Sequence, residues 1–339
     1  MCLVKARRTY DRQYKESKMA QSISSQTNDL KKMSSRSSGI RIFKWTLLSP
    51  LICLALFLLP VFILQLYFAF HSWTIYLSSW SAAEYVGIEL FQEALQDKRF
   101  FWAVARSLLF ASLSTIGCFV FGLILALLMY RPFRGHGFFY IVFILPMLTV
   151  PIVIAYTCDM LLYRAGPING FLSTIFGTEM RFTWLSNPDF AIFTVVMLEI
   201  WNWTPFTFII LIAGLSSIPK EPLEAARILG ANRLKIFMEI QLPLLRPVIF
   251  LALILRFLEA MAEFPKTWGL LQGGPGSATE TIPIYLYLIT WQFFDISKAA
   301  ATSYVVMLIM IFVILFAIRI LRKEKQSMDT LYSVRSSGS

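Results

Sequence analysis

The sequence is short of charge and almost without histidine. Charged residues are 15% of the 339 positions, against roughly 25% in an ordinary soluble domain. With two His and four Cys, no H-E-x-x-H and no Cys/His cluster, metal chemistry has no ligand set. No G-x-x-x-x-G-K-S/T phosphate loop is present, so the chain carries no ATPase motif of its own. GGPGSAT, from Gly273, is Gly-rich but lacks the lysine. The cysteines offer no disulfide argument. Cys53, Cys118 and Cys158 lie in apolar runs and read as small apolar residues. No catalytic residue, cofactor or metal is assigned.

What is abundant is apolar surface. Hydrophobic residues are 57% of the chain, with 30 Phe and 9 Trp. About 20 apolar residues in a helix cross a hydrocarbon core. Thr46–Phe70, Ser107–Tyr130, Phe138–Cys158 and Ala299–Ile318 are each free of charge over 20 residues or more. Phe190–Pro219 is interrupted only by Glu199. Leu244–Phe264 carries Arg256, Glu259 and Glu263 and makes a sixth candidate. The pattern predicts an all-α membrane protein with spans near 46–70, 107–130, 138–162, 190–214, 244–264 and 299–321. A basic, Ser-rich tail over 1–45 reads as disordered, and 322–339 as a second tail. No cleavable leader is expected, because the first apolar run follows that long polar tail.

The net charge of +11 invites a nucleic-acid reading, but its placement points elsewhere. Of 31 Lys and Arg, 11 lie in residues 1–45, two in 131–137, five in 215–246 and five in 319–339. Basic residues on alternate loops are the positive-inside pattern. It predicts both termini and the 215–243 loop in the cytoplasm of a multi-pass membrane protein, with lipid rather than nucleic acid as the neighbour. It also requires the sixth span, which returns the basic tail to that side. Outside, YVGIELFQEALQDKRF has the spacing of an interfacial helix.

The 215–243 loop is polar and helix-prone between two apolar runs. Pro222 suits a helix's first turn, and Gly230 suits a left-handed C-terminal position. A second helix is predicted from Asn232 to about Gln241, with Pro243 and Pro247 setting the entry to the next span. From these residues alone, an ordinary amphipathic surface loop fits as well as a docking element.

The residue pattern goes further. Glu224-Ala225-Ala226, Gly230-Ala231, Phe237, Ile240 and Leu242-Pro243 resemble the EAA signature of ABC importer permeases. AGLSSIPKEPLEAA, GGPGSATETIPIYLY and GPINGFL are similar to the carbohydrate-uptake, maltose-permease-like branch. The resemblance covers nearly the whole chain after residue 45. Leu229 stands where many sugar-type members have Asp. Arg106-Ser107, Pro265 and Ser297 also depart from the common pattern, which leaves the solute open.

The resemblance implies that the loop is a coupling helix docking on a cytoplasmic ATP-binding subunit. It implies an assembly of two permease subunits, two ABC ATP-binding subunits and a periplasmic or lipid-anchored solute-binding protein, in a bacterial or archaeal cytoplasmic membrane. Two other classes stay open: a self-sufficient secondary transporter and a membrane-embedded enzyme.

Ionisable groups inside spans are costly and mark cavities or partners. Arg256, Glu259 and Glu263 share one helical face. Glu199, Asn202, Trp203 and Phe206 share another. Asn202, Trp203, Arg256, Glu259 and Glu263 are therefore candidates to line a translocation path, Trp203 stacking on a sugar and Asn202 and Glu259 bonding its hydroxyls. Mutual pairing of the charges is the competing reading.

Overall fold

The computed structural model describes residues 45–337, apart from 47, 75, 77, 78, 81, 82 and 132. Side chains at 317, 320 and 321–339 are also outside it. The expected tail over 1–44 lies outside the described residues. The chain divides into two compact units, Met1–Tyr67 and Phe68–Ser339. Helix α1 (Leu48–Phe70) runs through the boundary, and every later element belongs to the second unit.

A short ribbon follows α1, with β1 (His71–Ser72) antiparallel to β2 (Glu84–Tyr85) and His71 opposite Tyr85. Helix α2 (Glu89–Gln96) is the amphipathic segment expected from the sequence, and it buries Leu90 and Ala94. Helix α3 (Lys98–Met129) starts nine residues before the predicted span. Asp97 explains the early start, because its side chain caps α3 by accepting from the Arg99 amide at 2.8 Å.

The third predicted span is broken into α4 (His136–Leu148) and α5 (Pro151–Leu162), which meet at 93°. Pro151 is the cause: it disfavours helix at Val150 and restarts one at its own position. Next comes α6 (Pro167–Phe176). Helix α7 (Pro188–Ser216) continues without interruption through Pro205.

The polar loop forms α8 (Lys220–Ile228) and α9 (Arg233–Ile236), and a wide π turn over Phe237–Gln241 joins α9 to α10 (Leu242–Met261). The chain then breaks at Ala262, short of the predicted Phe264. It continues as α11 (Pro265–Leu271), α12 (Ile282–Tyr287) and α13 (Ile296–Ser337). Among the described residues, four helices are long and apolar enough to cross a membrane: α1, α3, α7 and the Ile296–Phe316 part of α13. The bent α4–α5 pair is a fifth if it counts as one span.

The core is built on α3 and α7. A Cβ on Gly122 of α3 would lie 2.4 Å from Thr207 Oγ1 and 3.0 Å from the Phe208 amide nitrogen of α7. Thr207 Oγ1 donates across the helices to the Cys118 carbonyl at 2.7 Å. Small residues that let backbones approach, with a hydroxyl bridging them, are how helices associate without a hydrophobic drive between them. At one end, Phe208, Leu211, Leu215 and Leu245 form a buried cluster with Leu223 of α8 and Ile236 of α9.

At the opposite end a second cluster joins Phe100, Tyr285, Ile289 and Val305. Polar clamps hold that end. Arg99 Nε donates to Glu280 at 2.7 Å, and Arg106 donates to Ser277 Oγ at 3.0 Å. Ser107 Oγ accepts from the Ile282 amide at 2.7 Å, and Ser297 Oγ accepts from the Trp73 amide at 2.9 Å. Arg106, Ser107 and Ser297, which depart from the carbohydrate-branch pattern, therefore each have a local partner.

Candidate functional site

Two sites are assembled from these elements. The first is the helix-turn-helix. Gly230 sits at φ +79° after α8. Its amide donates to the Arg227 carbonyl, and the Ala231 amide donates to the Ala226 carbonyl, both at 3.0 Å. This is a Schellman closure, and it requires the left-handed backbone that glycine supplies without cost. Asn232 then caps α9, its Oδ1 accepting from the Lys235 amide at 2.8 Å.

The second helix does not end near Gln241 as predicted, and α9 runs into α10 through the π turn. The Leu242 amide reaches back five residues to Phe237. Widening that turn relieves the clash a proline ring makes with the carbonyl four residues earlier.

The signature residues divide by exposure. Leu223 and Ile236 are buried. Ala226, Ala231, Ile240 and Leu242 pack against the same cluster, and Phe237 and Pro243 are half-buried. Glu224, Ala225 and Gly230 face outward. So do Ile228 and Leu229, at 86% and 87% exposure. Anchored beneath, the element presents Ala225 among charged side chains on its outer face and ends in two large exposed aliphatic side chains.

The second site lies inside the bundle. Glu199 of α7 and Arg256 of α10 are fully buried and paired. Lys266 of α11 joins them, its Nζ 2.6 Å from Glu199 Oε2 and 3.1 Å from Glu263 Oε2. The same Nζ donates to Asn202 Oδ1 at 2.9 Å, while Asn202 Nδ2 donates to the Pro146 carbonyl at 2.6 Å. Arg256 and Lys266 lie 5.2 and 5.6 Å from the Trp203 ring centroid. Two carboxylates and two cations therefore neutralise each other, and an aromatic face covers both cations.

Of the five candidate path residues, the structure gathers Asn202, Trp203, Arg256 and Glu263 into this cluster. Glu259 lies outside it and is exposed. Lys266 was missed as a member, because the sequence placed it in an outer loop. The available signal was its position three residues after Glu263, with Pro265 between them starting a new helix.

Outside the spans, Asp97 has a perturbed carboxyl. Burial pushes its pKa up, but hydrogen bonds from the Tyr285 hydroxyl and the Arg99 amide, with nearby Lys298, outweigh this and hold it below the usual value. The Tyr285 hydroxyl is pushed up by burial and by its 2.7 Å bond to Asp97.

Membrane-length helices packed around a buried ion-pair core mark a helical integral membrane protein. Residues 118–323 match the family described as "Binding-protein-dependent transport system inner membrane component", and the chain belongs to that family. It is 31% identical over 292 residues to the sulfoquinovosyl glycerol transport system permease protein SmoG of Agrobacterium fabrum, covering 84% of this chain and 92% of that protein. It is 31% identical over 235 residues to the trehalose/maltose transport system permease protein MalF of Thermococcus litoralis, covering 69% and 78%. The fold matches a chain of a bacterial ABC transporter for the import of the acidic polysaccharide alginate. The TM-score is 0.69 at 23% identity, over 82% of this chain and 96% of that one.

Proposed function

We propose that this chain is one of two permease subunits of an ATP-driven importer for a sugar or sugar-like solute, which an external binding protein delivers. The observation that carries the reading is the exposed α8 ridge. Gly230 closes it, Leu223 and Ile236 anchor it, and Ile228 and Leu229 tip it, 86% and 87% exposed among the described residues. ATP hydrolysis belongs to partner subunits seated on that ridge. The solute class is supported by relatives whose names specify trehalose/maltose and sulfoquinovosyl glycerol transport.

In this reading the chain crosses the membrane six times. The α4–α5 pair is one broken span and α10 is another, its Arg256 made tolerable by Glu199. Both termini and the α8–α9 loop lie in the cytoplasm, as the basic residues favour. The buried cluster fixes α7, α10 and α11 against α4. Glu259, exposed one turn from Arg256, is the acidic group left free to meet a solute. The coupling role of Glu224, Ala225, Ala226, Gly230, Ala231, Phe237, Ile240, Leu242 and Pro243 divides into an outward face and an anchoring face.

The test is purification in mild detergent through a tag on this chain, with mass spectrometry of what accompanies it. An ABC-type ATPase and a second permease are expected, both lost on Gly230→Asp. Repeated recovery of the chain alone, still active in uptake, overturns the reading in favour of a secondary transporter.

A further inference from the structure

We propose that the groove between the end of α3 and the helix-turn-helix binds the headgroup of an anionic phospholipid, whose acyl chain lies along the outer face of α3. Three arginines from three places in the sequence converge there. Arg131 follows α3, Arg227 closes α8, and Arg233 opens α9. Together they line two adjoining hollows of about 440 and 550 Å3. No carboxylate lines either hollow, and among the described residues none of the three arginines forms an ion pair. Three guanidinium groups gathered without an anion repel one another, so the groove favours a ligand that brings negative charge. Arginine's planar fork matches phosphate oxygens two at a time.

The other half of the groove is greasy. Leu128 and Leu234 line it at 67% and 69% exposure. Phe121, Ile124 and Leu128, at i, i+3 and i+7, continue as an exposed apolar strip down α3. That strip leads into a further apolar hollow of about 520 Å3, lined by Phe121, Ile124, Val142 and Trp201. A cationic pocket at the end of a membrane-length helix, opening onto an apolar strip along that helix, has the polarity of a phospholipid. A free phosphate has no use for the strip. A zwitterionic lipid would leave three positive charges uncompensated. Basic pockets between membrane helices are established sites for acidic headgroups. The inference needs α3 to cross the bilayer and is independent of the transported solute. A lipid held there would touch both turns of the coupling element.

Native mass spectrometry of the detergent-purified complex, partner subunits included, tests this by titration with phosphatidylglycerol and phosphatidylcholine of matched chains. Phosphatidylglycerol is expected to be retained several-fold more strongly. Arg131→Gln, which lies outside the coupling loop, should lower that retention roughly fivefold, with phosphatidylcholine binding unchanged. Inorganic phosphate at equal concentration should not displace the lipid. Equal retention of the two lipids by the wild-type complex overturns the proposal, whether or not the variant assembles. So does displacement by phosphate alone, which would make this a free-anion site. Protection of the three arginines from phenylglyoxal by the ATP-binding subunit in lipid-depleted complex would assign the groove to protein and overturn it as well.

Discussion

Lys266 Nζ lies 2.6 Å from Glu199 Oε2, inside the bundle, with both side chains essentially shut off from solvent. Glu199 belongs to a long apolar helix and Lys266 to a seven-residue one that begins after a chain break. Arg256, from a third helix, shares the same carboxylate. Removing one partner of a buried pair leaves an uncompensated charge, and this costs more than the pair contributes.

Glu199→Gln should therefore destabilise the protein by about 3–5 kcal/mol, since it strands Arg256 and leaves Lys266 with Glu263 as its one counter-charge. Thermal unfolding of the detergent-purified protein measures this. A variant as stable as the wild type would mean that the cluster does not hold α7, α10 and α11 together.

Glu259→Gln should behave differently. The carboxylate is exposed and outside the cluster, so stability should move by less than about 0.5 kcal/mol. If Glu259 meets the solute, the half-saturation concentration for uptake should rise several-fold. Unchanged uptake in a well-assembled complex removes Glu259 from the path.

Close helix packing gives a prediction with an internal control. Gly122→Ala places a methyl 2.4 Å from Thr207 Oγ1 and against the α7 backbone, and should cost about 1–3 kcal/mol through overpacking. Gly137→Ala meets nothing within 4 Å and should be neutral or slightly stabilising, because alanine is the better helix former. Equal effects of the two in thermal unfolding would argue against the α3–α7 contact.

Acid should loosen the polar clamp around Asp97. The Asp97 carboxyl is held below its ordinary value. Its contribution is present above about pH 3.9 and fades as pH falls through the lower folded value. Asp97→Asn should lower stability at neutral pH and flatten that part of the acid limb. An unchanged limb in unfolding curves between pH 2 and 5 would show that Asp97 is not a stabilising cap.

Much of this molecule is legible in its sequence because lipid imposes simple rules. Uncharged runs give the membrane-length helices α1, α3, α7 and α13. Pro222, Gly230 and Asn232 mark the helix-turn-helix, because each satisfies a terminal backbone requirement that is local in sequence. What was not legible is non-local. The three-residue spacing from Glu263 points to one partner of Lys266, but not to Glu199, 67 positions earlier in the chain. The π turn at Phe237–Gln241 was missed for a different reason. Pro243 reads as the entry to a new span after a helix ending near Gln241, yet a helix anchored through Ile236 and Leu245 widens around the proline and runs on. Arg131, Arg227 and Arg233 read as scattered loop charges until the fold brings them to one groove.

The most direct test of the coupling account is uptake in proteoliposomes. The chain is reconstituted with its co-purifying subunits and binding protein, with ATP inside or outside, and compared with Leu229→Glu. The account expects uptake only with ATP on the side bearing α8. In the variant, both uptake and the ATP-binding subunit should be lost, with membrane insertion and thermal stability unchanged. Uptake by this chain alone, without ATP and unaffected by Leu229→Glu, would contradict it.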